Sequence, residues 1–201
     1  MGDGQEVVTD EREQVYLYGP ERTVCPDPTK LFRHVQRYML AMIQATALEK
    51  RDAYLDYGCG SGYGTELVAL YFKRTLGIDR DASAVAYARE HHTRSGAVFL
   101  TDYHAVNTYD LITCIEVIEH LDDVQRASML DRFRALLDKD GTLVLTTPIG
   151  DGIRIENPHH LIEFTAEQLE ALLKTRFNDV EVQDISLGLP NMIALCRGPK
   201  K

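Results

Sequence analysis

A loop of alternating glycines, preceded by an acidic residue, is the part of this sequence best suited to hold a ligand. Residues 54–64 read YLDYGCGSGYG, and the acid and the first three glycines are Asp56, Gly58, Gly60 and Gly62. Glycine lets the backbone turn tightly and approach a ligand without a Cβ in the way. Asp79 ends the next apolar segment, where a carboxylate can accept hydrogen bonds from the two hydroxyls of a ribose. These residues predict a cofactor that contains adenosine.

The spacing of the glycines indicates which cofactor this is. In a dinucleotide fingerprint the third glycine comes three residues after the second, so that a pyrophosphate can sit at the helix N-terminus; here that position is Tyr63. Asp56 also suits a positively charged amine better than a pyrophosphate. The pattern resembles the class I S-adenosylmethionine-dependent methyltransferases. The resemblance implies that Asp56 and the backbone of residues 58–62 hold the amino-acid part of S-adenosylmethionine, and that Asp79 holds its ribose.

The same resemblance assigns the adenine end of the cofactor. The third predicted strand ends shortly before Asp102, where the family commonly places an acid that accepts a hydrogen bond from the adenine amino group. Asp102 is therefore expected to make this contact, and Tyr103 or Arg80 is expected to lie beside the adenine ring.

A second block of reactive side chains lies at the end of the fourth predicted strand, where residues 114–121 read CIEVIEHL. It resembles the Glu-x-x-Glu-His element of the ubiquinone-biosynthesis O-methyltransferases. The resemblance implies that Glu116 faces the transferred methyl group and that Glu119 and His120 lie close by. Methyl transfer to a hydroxyl requires removal of a proton, and histidine is the side chain best suited to this near neutral pH. His120 is therefore the candidate base, and we group Glu119 and His160 with it as candidate catalytic residues.

Other motifs extend the resemblance over most of the chain. Residues 157–165, NPHHLIEFT, resemble the Asn-Pro-x-His-x-x-Glu-Phe-Thr loop of a subgroup linked to glycan modification. Residues 19–22 and 34–38 resemble the Glu-Arg and His-x-x-Arg-Tyr elements of the same subgroup. These motifs imply that His160 or His159 reaches the methyl acceptor and that Glu163 fixes the loop. They also imply that Arg37 and Tyr38 close over the cofactor.

Alternating strands and helices must position these residues. Apolar residues at helical spacing predict a helix over about 29–50, which precedes the first strand. The predicted strands cover 53–57, 74–79, 97–100, 109–115, 142–147, 180–185 and 192–196, and further helices cover 83–91, 124–137 and 166–175. The fold class is α/β: a Rossmann-like, doubly wound, seven-stranded sheet that is mostly parallel and ends in an antiparallel C-terminal hairpin.

Local sequence signals predict where one helix ends and where the last helix begins. Gly141 is predicted to cap the C-terminus of the helix over 124–137, and Thr165 with Gln168 predicts a capping box before the last helix. We expect one methyltransferase domain over residues 1–201. Its N-terminal arm and capping helix occupy 1–50 and its core occupies 51–201.

The composition of the chain limits the kinds of substrate and partner that we expect. The chain has 201 residues, of which 44% are hydrophobic and 26% charged, and its formal net charge is −9. An acidic surface repels a phosphate backbone, so a compact substrate is expected rather than a nucleic acid. The resemblances above imply that this substrate is a small molecule or glycan. Four cysteines without a Cys-x-x-Cys pair indicate neither a zinc knuckle nor a redox dithiol. No segment resembles a secretory signal or a membrane span, so we expect a cytoplasmic enzyme without a membrane partner.

Three other functions stay open. Four side chains have the ligand types for a divalent ion: Glu116, Glu119, His120 and His160. A similar set supports a magnesium or manganese site in small-RNA 3′-terminal 2′-O-methyltransferases, so a metal-dependent RNA ribose methyltransferase is the alternative enzyme. A cofactor-binding sensor without catalysis and a dinucleotide oxidoreductase are the other two. The sequence favours methyl transfer from S-adenosylmethionine to a hydroxyl, with an amine as second choice, and no resident metal.

Overall fold

A computed structural model of the chain describes residues 28–92, 94–102, 108–151, 158–186 and 190–201. The strands are β1 (Ala53–Tyr57), β2 (Arg74–Ile78), β3 (Val98–Leu100), β4 (Tyr109–Ile115), β5 (Leu137–Pro148), β6 (Phe177–Asp184) and β7 (Asn191–Pro199). The helices are α1 (Pro28–Ala47), α2 (Tyr63–Ala69), α3 (Ala82–His91), α4 (Asp123–Leu136) and α5 (Ala166–Lys174), and a short 3-10 helix spans Ile118–His120. None of the helices in these ranges combines the length and apolar character needed to cross a bilayer.

The seven strands form one sheet in the order β3-β2-β1-β4-β5-β7-β6. The first five strands pair in parallel, whereas β7 runs antiparallel to both β5 and β6. This topology confirms the predicted α/β class and its C-terminal antiparallel strands. The strand order reverses between β1 and β4, and such a switch point is where open sheets of this kind bind their ligands.

Alternation along β4 shows how the core is divided by the sheet, because successive side chains of a strand point to opposite faces. Leu111 and Ile115 pack in a cluster with residues of α1 and α2. Ile112 and Cys114 pack in the other main cluster, which contains residues of α4 and α5. All seven residues of β4 are buried, as expected for a central parallel strand covered by helices on both faces.

The predicted helix cap at Gly141 is wrong. Helix α4 ends at Leu136 and β5 begins at Leu137, so Gly141 lies inside the strand. A Cβ at this position would lie 2.9 Å from the carbonyl oxygen of Asp110, beside a shift in the pairing of β4 with β5. The glycine therefore permits close backbone approach in the sheet, a role that its position after an apolar helical pattern does not reveal.

The predicted capping box before α5 is confirmed. The backbone N–H of Gln168 donates to Thr165 Oγ1 at 3.2 Å, and the backbone N–H of Thr165 donates to Gln168 Oε1 at 3.0 Å.

Some predictions concern residues outside those that the structure describes. These are the arm up to residue 27, Tyr103 and residues 152–157. The assignment of residues 1–201 to one domain also stays a prediction.

Candidate active site

A cleft of about 780 Å³ opens beyond the carboxyl ends of β1, β2 and β4. Ten residues that the sequence marks as site residues line it: Arg37, Gly58, Gly60, Asp79, Arg80, Asp102, Glu116, Glu119, His120 and His160. The fold therefore brings together residues from distant parts of the chain. Two other predicted site residues, Asp56 and Gly62, are buried and lie outside the lining of the cleft.

The glycine loop is shaped by close packing beneath it. Gly62 caps the N-terminus of α2 with φ 87°, and a Cβ there would lie 2.6 Å from Ala88 Cβ and 2.9 Å from the ring of Phe99. At Gly64 a Cβ would lie 2.1 Å from ring atoms of Tyr38. Glycine is required at Gly62 by both its backbone conformation and the space available, and at Gly64 because α1 lies directly against the start of α2.

Asp56 holds three elements together below the cleft. Its carboxylate accepts hydrogen bonds from Thr65 Oγ1 and Thr113 Oγ1, both at 2.6 Å, and from Tyr38 Oη at 3.2 Å. Burial raises the pKa of Asp56 to about 6, although the three hydroxyl donors favour its charged form. This geometry makes Asp56 an anchor between α1, α2 and β4, and its contact with the cofactor's amine stays a prediction.

Asp79 connects the glycine loop to the end of β2. Its Oδ2 accepts from the backbone N–H of Gly60 at 2.8 Å and its Oδ1 from that of Asp81 at 2.9 Å. Burial raises the pKa of Asp79, and these two backbone donors oppose the change. Arg80 and Asp102, both exposed, line the cleft as well.

This end of the cleft fits S-adenosylmethionine. Gly60 has φ 51° and lines the cleft without a Cβ, and its N–H is held by an acid that itself lines the cleft. Among the described residues, each oxygen of Asp79 accepts one backbone hydrogen bond and retains capacity for a further donor. Residues 58–62 would hold the amino-acid part of the cofactor, and Asp79 would accept from its ribose hydroxyls.

Glu116 and Arg37 are paired with each other at the wall of the cleft. Arg37 Nη2 lies 3.0 Å from Glu116 Oε2. Asn191 Nδ2 donates to both carboxylate oxygens at 3.1 and 3.2 Å, and Thr146 Oγ1 donates to Oε1 at 2.8 Å. The direct contacts of Glu116 and Arg37 with the cofactor stay predictions. Asn191 and Thr146 were not identified from the sequence, because neither belongs to a motif and both come from strands remote from Glu116 in the chain.

One carboxylate oxygen of Glu119 has no hydrogen-bond donor among the residues that the structure describes. The side chain is fully buried, and Oε2 accepts from Thr147 Oγ1 at 3.2 Å. Within the described part of the chain, Oε1 has no hydrogen-bond partner, and it lies 3.9 Å from His120 Nε2. Burial and the negative charge of Glu116 raise the pKa of Glu119 well above its ordinary value.

Two histidines face this carboxyl group. His120 Nδ1 lies 3.0 Å from the carbonyl oxygen of His159, and His160 Nδ1 lies 2.8 Å from Glu163 Oε1. The two rings meet edge to face with their centroids 5.0 Å apart. The loop that carries His160 is fixed to the 3-10 helix, because the backbone N–H of Leu161 donates to the carbonyl of Glu119 at 2.7 Å.

The tautomer of His120 follows from its partner. A carbonyl oxygen only accepts hydrogen bonds, so Nδ1 of His120 carries the proton and donates it to His159. In the neutral ring the lone pair therefore resides on Nε2, the atom nearer to Glu119. One ligand atom each from Glu119, His120 and His160 lies within 4.8 Å of the other two. The arrangement can accept a proton from a substrate or hold a cation.

Comparison with known proteins identifies the family. A family model described as a methyltransferase domain matches residues 31–185. The chain belongs to this methyltransferase family. It is 31% identical over 150 residues to a probable S-adenosylmethionine-dependent methyltransferase of Mycobacterium tuberculosis, a match that covers 70% of this chain and 52% of the relative. It is 30% identical over 118 residues to a ubiquinone biosynthesis O-methyltransferase of Paraburkholderia xenovorans, covering 54% of this chain and 49% of the relative.

The methyltransferase fold is also seen among solved structures. The N-methyltransferase NodS from Bradyrhizobium japonicum, solved with S-adenosylhomocysteine, superposes with a TM-score of 0.70 at 24% identity, covering 87% of this chain and 90% of that one. The comparisons confirm the predicted class I family and S-adenosylmethionine as its cofactor. The chain spans about half the length of the curated relatives it matches.

Proposed function

We propose that this methyltransferase transfers a methyl group from S-adenosylmethionine to a hydroxyl of a small molecule or glycan in the cytoplasm. Relatives and structural neighbours include proteins named as O-methyltransferases and as N-methyltransferases. Their names therefore do not decide between an oxygen and a nitrogen acceptor, whereas the side chains of the site favour oxygen. The observation that carries the proposal is the orientation of His120. Its proton lies on Nδ1 and its lone pair on Nε2, beside Glu119 at the acceptor end of the cleft.

The reaction needs alignment and the removal of one proton. Bound S-adenosylmethionine would supply a methyl group on a positively charged sulfur. Transfer to the acceptor oxygen would break the carbon–sulfur bond, and the electron pair of that bond would remain on a neutral sulfur. His120 Nε2 takes the hydroxyl proton. A neutral amine acceptor would need this base less, because its nitrogen is a stronger nucleophile than a hydroxyl oxygen and can release its extra proton after the methyl group is transferred.

Glu119 and Glu163 assist the two histidines in this proposal. The carbonyl of His159 and the carboxylate of Glu163 fix the ring orientations of His120 and His160. Glu119, whose pKa is raised by burial and by the charge of Glu116, lies beside His120. The histidines are thereby held facing the acceptor before it binds.

Replacement of His120 tests the proposal. His120→Ala should lower turnover by about two to four orders of magnitude and leave the affinity for S-adenosylhomocysteine nearly unchanged. The assay measures release of S-adenosylhomocysteine with a panel of sugar, phenol, alcohol and amine acceptors. His91→Ala, in α3 and outside the cleft lining, is the matched control and should keep full turnover. Equal rates in His120→Ala and the parent protein, or activity with amines alone, would refute the assignment.

A metal-dependent reaction is a second candidate, favoured by one observation. The ligand atoms of Glu119, His120 and His160 converge within 4.8 Å, and a buried carboxylate oxygen without a partner points to a missing positive group. The Nδ1 atoms of both histidines contact an acceptor oxygen, as is usual for histidines that bind metals through the other nitrogen. These three residues would hold a divalent ion, which when bound would make a nearby hydroxyl more acidic. Glu116 is less suited, because its carboxylate already has three partners.

Manganese binding and metal dependence separate the two candidates. Under the second candidate, calorimetry with Mn²⁺ detects a site in the parent protein that is lost in Glu119→Gln and in His160→Ala. Glu66→Gln, whose parent residue pairs with His92 outside the cleft lining, should retain that site. A short RNA with a free 3′-terminal ribose tests the RNA form of this candidate against the same RNA already methylated at the 2′ oxygen. Full turnover after chelation of all divalent metal would rule the second candidate out.

A further inference from the structure

A second cavity joins the wall of the cleft at α1. It has a volume of about 590 Å³ and shares three lining residues with the cleft: Arg33, Arg37 and Asn191. The rest of its wall is largely apolar and includes Leu40, Met39, Ile43 and Ile185. A molecule bound at the histidines can therefore extend past α1 into this neighbouring space.

Two arginines at the junction of the cavities differ in their partners. Arg33 and Arg37 are one helical turn apart on α1, so they lie on the same side of the helix. The guanidinium of Arg37 is balanced by Glu116 at 3.0 Å and also contacts Asn191. Arg33 has no ion pair or hydrogen bond in the part of the chain that the structure describes, and its Nε is buried without a partner. A buried donor without a partner is costly.

The charges around Arg33 indicate a specific site for an anion rather than a basic surface that attracts anions in general. The chain carries a formal net charge of −9, so a general attraction for anions is not expected. Asp184 is the acidic residue in the lining of the second cavity. Its carboxylate accepts from the backbone N–H of Ser186 at 2.7 Å, and it forms no ion pair with Arg33 within 4.0 Å.

We propose that Arg33 binds an anionic group of the methyl acceptor, a carboxylate or a phosphate, at the junction between the cleft and the second cavity. The planar guanidinium presents paired donors that match either anion. The apolar wall strengthens the interaction because it excludes water from one side. This inference rests on the proposed function for the identity of the ligand as an acceptor, and it adds that the acceptor is acidic.

Two sets of ligands, each built on one ring and including a neutral, a carboxylate and a phosphate member, test this proposal by binding alone. Glucose, glucuronate and glucose 6-phosphate form one set, and benzyl alcohol, benzoate and phenyl phosphate form another. Each is titrated by nuclear magnetic resonance into the full chain saturated with S-adenosylhomocysteine. A charged member should bind about 10- to 100-fold more tightly than its neutral counterpart, and whether the carboxylate or the phosphate does so identifies the anion.

Variants of Arg33 complete the test. Arg33→Gln should abolish the preference for the charged ligand, and Arg33→Lys should retain only part of it because the paired donors are lost. Arg51→Gln, which changes an exposed arginine outside both cavities, should leave the preference intact. Unchanged affinity for S-adenosylhomocysteine shows that each variant is folded. No preference for charge in either set, or the same preference in Arg33→Gln, overturns the inference. Neither result depends on methyl transfer, so the proposed reaction is judged separately.

Discussion

Replacing the buried acid Asp56 by asparagine should remove a specific dependence of stability on pH. The pKa of Asp56 is raised from 3.8 to about 6 because the folded protein buries its charge. Between these two values the folded state binds more protons than the unfolded state, so the free energy of unfolding falls as the pH rises. The full difference is about 3 kcal/mol, since each pKa unit corresponds to about 1.4 kcal/mol.

The measurable part of this effect lies in a practical pH range. About 1 kcal/mol of the loss has already occurred by about pH 4.5, and about 2 kcal/mol more is lost by about pH 7.5. Urea unfolding of the parent protein and of Asp56→Asn across this range gives the two curves. Their difference isolates Asp56, because other groups contribute to both. Asparagine has a similar shape. Thr65 and Thr113 bond to different oxygens of Asp56, so the amide oxygen can accept from one hydroxyl and the amide NH2 can donate to the oxygen of the other.

Asp56→Asn should therefore become more stable, relative to the parent protein, as the pH rises from about 4.5 to 7.5, by about 2 kcal/mol. Glu119→Gln serves as a comparison, because the pKa of Glu119 is also raised by burial but through a different site. Parallel curves for Asp56→Asn and the parent protein would refute the argument, since they would show that the three hydroxyl donors offset the cost of burying the charge.

Three further predictions concern the cofactor loop and helix α5. Asp79→Ala should weaken binding of S-adenosylhomocysteine by about 1–3 kcal/mol, measured by calorimetry; an unchanged affinity would place the ribose elsewhere. Gly64→Ala should lower the free energy of unfolding by about 1–3 kcal/mol, because its Cβ would lie 2.1 Å from the ring of Tyr38; urea unfolding measures the loss, and an undiminished stability would contradict this packing. Thr165→Ala should lower stability by about 1 kcal/mol in the same assay, whereas Thr165→Ser should retain the cap.

The helices and strands of this fold were predictable where a local sequence pattern determines them. The bounds of β1 and β4 in the structure match those predicted, because each is a short apolar run followed by glycine or acidic residues. The capping box of Thr165 and Gln168 is also a local signal. The start of β5 was not predictable, because Gly141 fits both a helix cap and a close contact between strands, and only the pairing with β4 decides between them.

The site was predictable as a collection of residues but not as a set of contacts. The glycine loop and the acids at strand ends share one edge of the sheet, which follows from parallel topology. The partners of those acids depend on side chains brought in by tertiary structure. Thr65 and Thr113 are unremarkable in the sequence, yet they hold Asp56. The same is true of Asn191, which lies 75 residues from Glu116 in the chain and donates to it.

Glu116 shows how the two ends of the site are joined. It has φ 56°, the single positive value of a non-glycine residue among those described, and this conformation costs about 1–2 kcal/mol. Its carboxylate receives Arg37 from α1, Thr146 from β5 and Asn191 from β7, and these contacts hold the backbone in place. Burial and the charge of Glu116 raise the pKa of Glu119, whereas the charge of Arg37 lowers it. Because Arg37 also borders the second cavity, α1 contributes both to the wall between the two cavities and to the charges around Glu119.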